Sequence, residues 1–234
     1  MKAIYKRELN NFFTSPIGYV FVGILLFFEG FFFYNCLYYQ NTEEFIYVYS
    51  SLQTFNMMLL PILTMRLLSE EKRQKTDQAL LTAPVSLLSI VLGKFLAALT
   101  VYAACISATV LHAFVMSFFG TLNWGIVFGN ILGTVLYGAA VIAIGLFISG
   151  LTDNQIIAAV GGFAASLFLL LVDSLGTIFN SKFLSQVVTW LSFAERYSDF
   201  TNGIFNFANI IFFLSICAVF LYLSVSTLEK RRWS

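Results

Sequence analysis

The run GIVFGNILGTVLYGAAVIAIGLFISGL, at residues 125–151, contains no charged residue. A helix needs about 20 predominantly apolar residues to cross the hydrocarbon core of a bilayer. This run exceeds that length, and its few polar residues do not form a face suited to water. We therefore interpret it as a transmembrane helix.

The composition of the whole chain leads to the same class. Of 234 residues, 59% are hydrophobic and only 11% are charged, and the mean hydropathy is +0.84. Soluble domains carry about 25% charged residues. This composition excludes an ordinary soluble globule, a disordered chain and a nucleic-acid binder that works through a basic surface.

Five further apolar blocks flank this run and predict an all-α membrane protein of six transmembrane helices in one domain, residues 1–234. We expect the spans at about residues 17–39, 45–68, 92–119, 125–151, 156–175 and 204–228. Pro61 lies inside the second span and should kink it. The first block is too long for a cleaved secretory signal and lacks a small-residue cleavage site, so we expect it to remain as a helix.

The Lys and Arg residues predict the orientation of the six spans. Two of the 13, Lys182 and Arg196, lie on one side. The other 11 lie on the opposite side: Lys2, Lys6, Arg7, Arg66, Lys72, Arg73, Lys75, Lys94, Lys230, Arg231 and Arg232. Because Lys and Arg are retained on the cytoplasmic side, we expect both termini in the cytoplasm. The three tryptophans fall near the predicted boundaries, where aromatic rings contact lipid headgroups.

Two segments outside the spans also have apolar patterns. Residues 1–16 place Ile4, Leu9 and Phe12 near one helical face, which predicts an interfacial helix at the inner membrane surface. Residues 180–197 contain a further apolar cluster. We expect one or two short helices there, either dipping into the outer leaflet or lying on its surface.

A charged segment, SEEKRQKTDQALLTAPVS at residues 69–86, separates the second and third spans. Its charged residues are expected in water, whereas Leu80 and Leu81 offer apolar side chains that can dock on another protein. Pro84 closes this apolar unit. The residues alone leave two alternatives open: a rigid handle for a soluble motor protein, or an ordinary cytoplasmic loop that carries the orientation signal.

Three stretches resemble the permease subunit of ABC-2 type exporters, especially the gliding-motility-type permeases. They are TSPIGYVF at 14–21, PILTMRLLSEEKRQKTDQALLTAPVS at 61–86 and IVLGKFLAA at 90–98. The resemblance covers much of the first 100 residues, and the six-span topology extends it less specifically to the whole chain. It implies a permease of an ATP-binding cassette exporter in the bacterial cytoplasmic membrane.

The resemblance also implies the partners. Two permease chains, identical or related, would form a translocation path between their first, second and fifth spans. Two cytoplasmic ATPase subunits would bind them, and an accessory subunit with a large extracytoplasmic domain is compatible with the subtype. No nucleic acid is expected as a partner.

By the same resemblance, residues 69–86 are the coupling helix that contacts the ATPases. The residues expected to carry the coupling are Glu70, Glu71, Lys72, Arg73, Thr76, Leu80, Leu81 and Pro84. Lys75 departs from the pattern, because many relatives have a glycine before the threonine.

The sequence shows no catalytic or cofactor site. The phosphate-binding pattern GxxxxGK[ST] does not occur, so we expect ATP to be hydrolysed by the partner and no cofactor in this chain. His112 is isolated and the three cysteines have unrelated spacings, so we expect no metal site and no disulfide. A membrane enzyme is disfavoured, since Glu29, His112 and Asp173 share no motif. An ATPase-independent channel or scaffold is the alternative.

Glu29 lies near the middle of the first span, where a charge facing lipid costs at least about 2.5 kcal/mol. Two roles stay open for it. It can belong to the translocation path or the dimer interface, or its carboxyl group can be satisfied by a neighbouring helix.

Two spacings predict structural contacts. Arg66 precedes Glu70 by one helical turn, which predicts an ion pair at the end of the second span. Gly125, Gly129 and Gly133 recur every four residues in the fourth span and predict close packing there.

Overall fold

The computed structural model describes residues 1–38, 45–78, 85–120, 122–178 and 192–233. These residues form helices and no strands, which confirms the all-α fold class. The described helices are α1 (Lys2–Thr14), α2 (Pro16–Tyr38), α3 (Phe45–Thr64), α4 (Ser69–Arg73), α5 (Leu87–Ile106), α6 (Ala108–Met116), α7 (Trp124–Leu151), α8 (Gln155–Ile178), α9 (Phe193–Thr201) and α10 (Phe207–Trp233).

Polar side chains mark where three of these helices begin. Ser86, Asn123 and Ser192 precede α5, α7 and α9, and each side chain accepts a hydrogen bond from a backbone N–H in the first turn. The first N–H groups of a helix have no partner in an earlier turn, so these caps satisfy them. The cap at Ser86 starts α5 at Leu87, before the predicted start of the third span at residue 92.

Five stretches among the described residues are long and apolar enough to cross a membrane, which makes the chain a multi-pass membrane protein. They are Pro16–Tyr38, Leu87–Met116, Trp124–Leu151, Gln155–Val172 and Phe207–Arg232. The predicted second span, α3, is not among them because polar residues such as Gln53 and Asn56 interrupt it. Both are buried, and Asn56 Nδ2 donates to the Tyr102 hydroxyl at 2.8 Å. This hydrogen bond compensates in part for the lower hydropathy of α3, while the buried Asn56 Oδ1 has no hydrogen-bond partner among the described residues.

The helices pack around α7. In its most apolar stretch 67% of the residues are buried, against 22% in α2, 17% in α8 and 22% in α10. The helices α3, α5, α8, α9 and α10 all pack against it. On the outside, α2 lies against α3, and α1 lies along α5. The outer helices present large apolar side chains, as lipid-facing helices do.

Glycines in α7 allow this close packing. A Cβ at Gly133 would lie 2.7 Å from the Phe200 side chain of α9, and one at Gly138 would lie 2.0 Å from the Tyr102 ring of α5. At Gly129 the nearest atom would be Phe205 Cζ at 3.1 Å, in the link between α9 and α10. The close packing predicted at Gly133 is thus confirmed against α9 and that at Gly129 against the link that follows it, whereas the atom near Gly125, Asn123 Oδ1 at 3.2 Å, belongs to the cap of α7 itself.

The third predicted span is interrupted, although a continuous helix was expected. The chain forms α5 and then α6, with Ser107 between them. The Ser107 hydroxyl donates to the Ala104 carbonyl and the Thr109 hydroxyl to the Ile106 carbonyl, both at 2.6 Å. Such bonds from Ser and Thr to the preceding turn bend helices.

Most of the predicted outer segment 180–197 lies outside the described residues. Its end forms the start of α9, which packs against α3, α7 and α8. The side chains of Phe193, Tyr197 and Phe200 are buried in these contacts.

Candidate coupling site

The charged segment begins with α4, which follows the end of α3 after a short turn. The Ser149 hydroxyl of α7 accepts hydrogen bonds from the N–H groups of Leu68 and Ser69, each at 3.1 Å. It also donates to the Met65 carbonyl at 3.0 Å. Because Ser149 is buried, it satisfies N–H groups at the start of α4 that lack a partner within the helix. The start of α4 is thereby attached to α7.

Four charged side chains from three helices form a cluster that we call the ionic clasp: Arg7 and Glu8 of α1, Glu71 of α4 and Lys94 of α5. Lys94 Nζ lies 3.0 Å from Glu71 Oε2 and 3.2 Å from Glu8 Oε1. Arg7 Nη2 lies 2.5 Å from Glu71 Oε1 and 2.6 Å from Glu8 Oε1. Each carboxylate contacts both cations, so the clasp joins α1, α4 and α5.

Burial makes the clasp stronger than a surface ion pair. The side chain of Lys94 is 1% exposed and that of Glu8 is 9% exposed, whereas Arg7 is 45% exposed. A buried ammonium group without a partner costs several kcal/mol, so Lys94 depends on both carboxylates. Burial alone would lower the pKa of Arg7, but the hydrogen bonds and charges of Glu8 and Glu71 raise it above its ordinary value. Arg7 therefore stays protonated.

Lys72 occupies a different environment from the one expected. We expected all charged residues of the segment in water, but Lys72 is 7% exposed and its ammonium group donates to the Gly150 carbonyl. That carbonyl belongs to the last turn of α7, where the helix dipole is negative and carbonyls lack partners within the helix. Burial lowers the pKa of Lys72, and so does the charge of Arg231, while Asp153 and Asp77 oppose the shift.

The predicted ion pair between Arg66 and Glu70 is confirmed, with Arg66 Nε 3.1 Å from Glu70 Oε2. Arg66 has further contacts that spacing alone does not predict. It donates to the Ser15 hydroxyl, and its guanidinium carbon lies 5.9 Å from the centre of the Phe12 ring. Arg66 therefore also connects the end of α3 to α1 and to the turn that precedes α2.

The backbone conformation at Lys75 shows why many relatives carry a glycine at this position. Its φ is 57°, a left-handed conformation that glycine adopts without strain and lysine rarely adopts. The turn closes when the Thr76 N–H donates to the Glu71 carbonyl at 3.0 Å. The position where many relatives carry glycine is thus a tight turn that ends α4. Arg73 and Lys75 are exposed on this turn.

The apolar part of the predicted coupling segment, with Leu80, Leu81 and Pro84, lies outside the described residues. Next to the described part, a pocket of about 360 Å³ opens between α1 and α4. Its charged lining residues are Arg7, Glu8, Arg66, Glu70, Glu71 and Lys94. All six take part in ion pairs with one another. These charges therefore hold the helices together and are already paired, which does not favour a binding site for a charged ligand.

Comparison with known families shows the class of the protein. The model of the ABC-2 family transporter protein matches residues 34–228. The chain belongs to the ABC-2 transporter family. It is therefore a permease subunit, the membrane component of an ABC transporter, and the family associates with ABC ATPase partners. No match was found among curated proteins. The matched range includes α4, α5 and most of α10, whereas Arg7 and Glu8 precede it.

In this ABC-2 permease, Glu29 lies inside the helix bundle. Its side chain is fully buried, and neither carboxyl oxygen has a hydrogen-bond partner among the described residues. The burial places Glu29 between helices of a single chain, away from the outer faces that contact lipid.

Among the described residues of the permease, no group of three or more His, Cys, Asp and Glu side chains could hold a metal ion. His112 stacks on Phe33, with ring centroids 4.5 Å apart. The cysteines Cys36, Cys105 and Cys217 are buried free thiols.

Sequence reasoning missed four residues of the site, namely Arg7, Glu8, Lys94 and Ser149. We counted Arg7 and Lys94 only as orientation signals, although Lys94 lies inside the predicted third span. An ionisable residue within a span is a functional-site hypothesis in itself, and that signal was present in the sequence. Glu8 and Ser149 had no comparable signal, because their partners lie 86 and 81 positions away in the chain.

Proposed function

We propose that this ABC-2 permease is the membrane subunit of an exporter, and that residues 69–86 transmit movement from two cytoplasmic ATPase subunits. Two permease chains, identical or related, would form the translocation path. ATP would be hydrolysed in the partner subunits. Residues 69–86 would make different contacts with the ATPases in their different states. These differences would shift the path between a form open to one side of the membrane and a form open to the other.

The observation that carries this proposal is the attachment of α4 on more than one side. Glu71 connects α4 to α1 and α5 through the ionic clasp, and Ser149 connects its start to α7. A displacement of α4 must therefore move these helices or break buried ion pairs. This supports the rigid handle over the ordinary loop, because a loop needs no such contacts.

The ion pairs also support the proposed orientation. They bring together α1, α4, the first turns of α5, the turn between α7 and α8, and the end of α10. We placed all of these segments in the cytoplasm from the distribution of Lys and Arg. For all of these segments to lie on one side of the membrane, the chain must cross it six times, with α3 as the second crossing. The bacterial cytoplasmic membrane is the proposed location.

The path itself is proposed to lie between α2, α3 and α8 of two chains. This placement rests on the resemblance, since Glu29, Gln53 and Asn56 in the first two of these helices are buried within one chain. The gliding-motility-type subtype, with an accessory subunit that has an extracytoplasmic domain, is proposed on the resemblance of residues 14–21 and 61–86.

Affinity purification from the native host in nanodiscs, with mass identification of the bound subunits and an ATPase assay, tests the proposal. We expect one ATPase per permease chain. The double variant Leu80→Ala and Leu81→Ala should lose the ATPase while inserting normally. The matched control is Leu111→Ala, since Leu111 is 68% exposed on α6, outside the coupling segment.

Two outcomes contradict the proposal. The wild-type chain purifies without an ATPase under conditions that preserve other membrane complexes, which favours a channel or scaffold. Alternatively, the double leucine variant retains the ATPase as well as the control does, and the contact lies elsewhere.

A further inference from the structure

A second group of charges, separate from the ionic clasp, contacts the same charged segment. We call it the ionic latch, and it consists of Lys72 of α4, Asp77 just after α4, Asp153 between α7 and α8, and Arg231 near the end of α10. Arg231 Nε lies 3.0 Å from Asp77 Oδ2, and Arg231 Nη1 lies 3.1 Å from Asp153 Oδ1. The charges of all three of these residues act on Lys72.

The latch differs from a chance surface contact in its burial and in its position. The side chain of Asp77 is 7% exposed, and that of Arg231 is 34% exposed. Asp77 precedes the apolar part of the coupling segment by a few residues. Lys72 is bonded to the Gly150 carbonyl at the end of α7. The latch therefore holds the described start of the coupling segment, directly before its apolar part in the sequence.

We propose that Arg231 is a positioning residue that holds the coupling segment against the last helix and the turn between α7 and α8. This rests on the proposed function, because it assigns a second connection to the same segment. The clasp connects the segment to the N-terminal helix, and the latch connects it to the C-terminal one. A movement imposed by the ATPases must separate Arg231 from Asp77 or carry α10 along.

The partly exposed position of Arg231 makes the latch sensitive to salt. Exposed ion pairs weaken as ionic strength rises, whereas buried pairs are screened much less. Arg231 is 34% exposed and its partner Asp153 is 65% exposed, whereas Lys94 of the clasp is 1% exposed and its partner Glu8 is 9% exposed. Salt should therefore weaken the pair between Arg231 and Asp153 before it affects the pairs that Lys94 makes in the clasp.

The test uses the complete complex, purified from its host with its own ATPase and reconstituted in nanodiscs. The variants are Arg231→Gln and, as matched control, Arg232→Gln. Arg232 is exposed and neighbours Arg231 in the chain. The readouts are the ATPase rate per complex at low and high salt, and the number of ATPase subunits bound.

We expect Arg231→Gln to raise the ATPase rate at low salt about two- to fivefold, because the segment then moves without breaking a partly exposed ion pair. High salt should raise the wild-type rate toward that of the variant and leave the variant unchanged. The Arg232→Gln complex should follow the wild type.

An Arg231→Gln complex with the wild-type rate and salt dependence, and with a normal number of ATPase subunits, overturns the latch while the proposed function stands. A lower rate at normal subunit number overturns it as well. Absence of the ATPase from the wild-type preparation contradicts the proposed function instead. A purely structural role would lower the yield of the complex without changing its salt dependence.

Discussion

Removing the Lys94 side-chain charge is the most direct perturbation of the ionic clasp. In Lys94→Met the ammonium group is lost, while the length and the apolar stem of the side chain are largely kept. Glu8 and Glu71 then face each other with Arg7 as their remaining cation. Arg7 is 45% exposed, so it compensates for two carboxylates less well than the buried Lys94 does.

The size of the effect follows from this geometry. Removing one partner of a buried ion pair costs about 3–5 kcal/mol. Because Arg7 still contacts both carboxylates, we reduce this to about 2–3 kcal/mol. For a chain of this length, about 1 kcal/mol corresponds to about 2–4 °C in the unfolding midpoint. We therefore expect the midpoint of Lys94→Met to fall by about 5–10 °C.

Thermal unfolding of the detergent-purified chain measures this shift. Lys230→Met is the matched control, because Lys230 lies exposed in the basic last turn of α10. It should unfold within a degree or so of the wild type. The double variant Lys94→Met with Glu71→Gln should recover a large part of the loss, since removing both charges avoids an unpaired buried carboxylate.

A Lys94→Met chain that unfolds at the same temperature as Lys230→Met would refute the reasoning. It would show that the clasp does not hold α1 and α4 on α5. Loss of stability in the single variant without recovery in the double variant would assign the effect to packing around Lys94, and the charges would then contribute little.

Two further predictions concern packing and proton binding. Gly133→Ala should lower the unfolding midpoint, because its Cβ would lie 2.7 Å from Phe200 and overpacking costs about 1–3 kcal/mol. The control Gly23→Ala, whose Cβ would have nothing within 4 Å, should leave the midpoint unchanged or raise it slightly. Thermal unfolding of both variants measures this, and equal midpoints would contradict the tight contact between α7 and α9. Burial lowers the pKa of Lys72 in the folded chain, so the unfolded chain binds more protons and stability should rise as pH increases toward the ordinary lysine value of about 10.4. We would measure the unfolding midpoints of the wild type and of Lys72→Met from pH 7 upward. The midpoint of the wild type should rise relative to that of the variant as pH increases. A difference that stays constant with pH would contradict this prediction.

Local patterns in the sequence predicted the features that depend on neighbouring residues. The ion pair between Arg66 and Glu70 follows from one helical turn and was found. The apolar run at residues 125–151 became α7, extended by Trp124 at its start. For α3, hydropathy alone is a weaker guide, because the buried Asn56 amide donates a hydrogen bond to Tyr102, which lies 46 residues later in the chain.

The candidate site was predictable only in part. Glu70, Glu71 and the charged segment were identified from their position between two spans and from the resemblance. The expectation that all the charges lie in water was wrong for Lys72, because a carbonyl at the end of α7 accepts its hydrogen bond. Sequence spacing does not show which distant helix end lies beside a given charge.

By itself the sequence determined that the chain is an all-α membrane protein, because apolar length and the shortage of charge depend only on composition and order. It also determined contacts within one helical turn, such as the pair between Arg66 and Glu70. Only the tertiary structure decided which charges meet. Glu71 joins Arg7 and Lys94, and Arg231 joins Asp77 and Asp153, across many intervening residues. These contacts depend on how the helices pack around α7, and packing is set by shape complementarity among all of them at once.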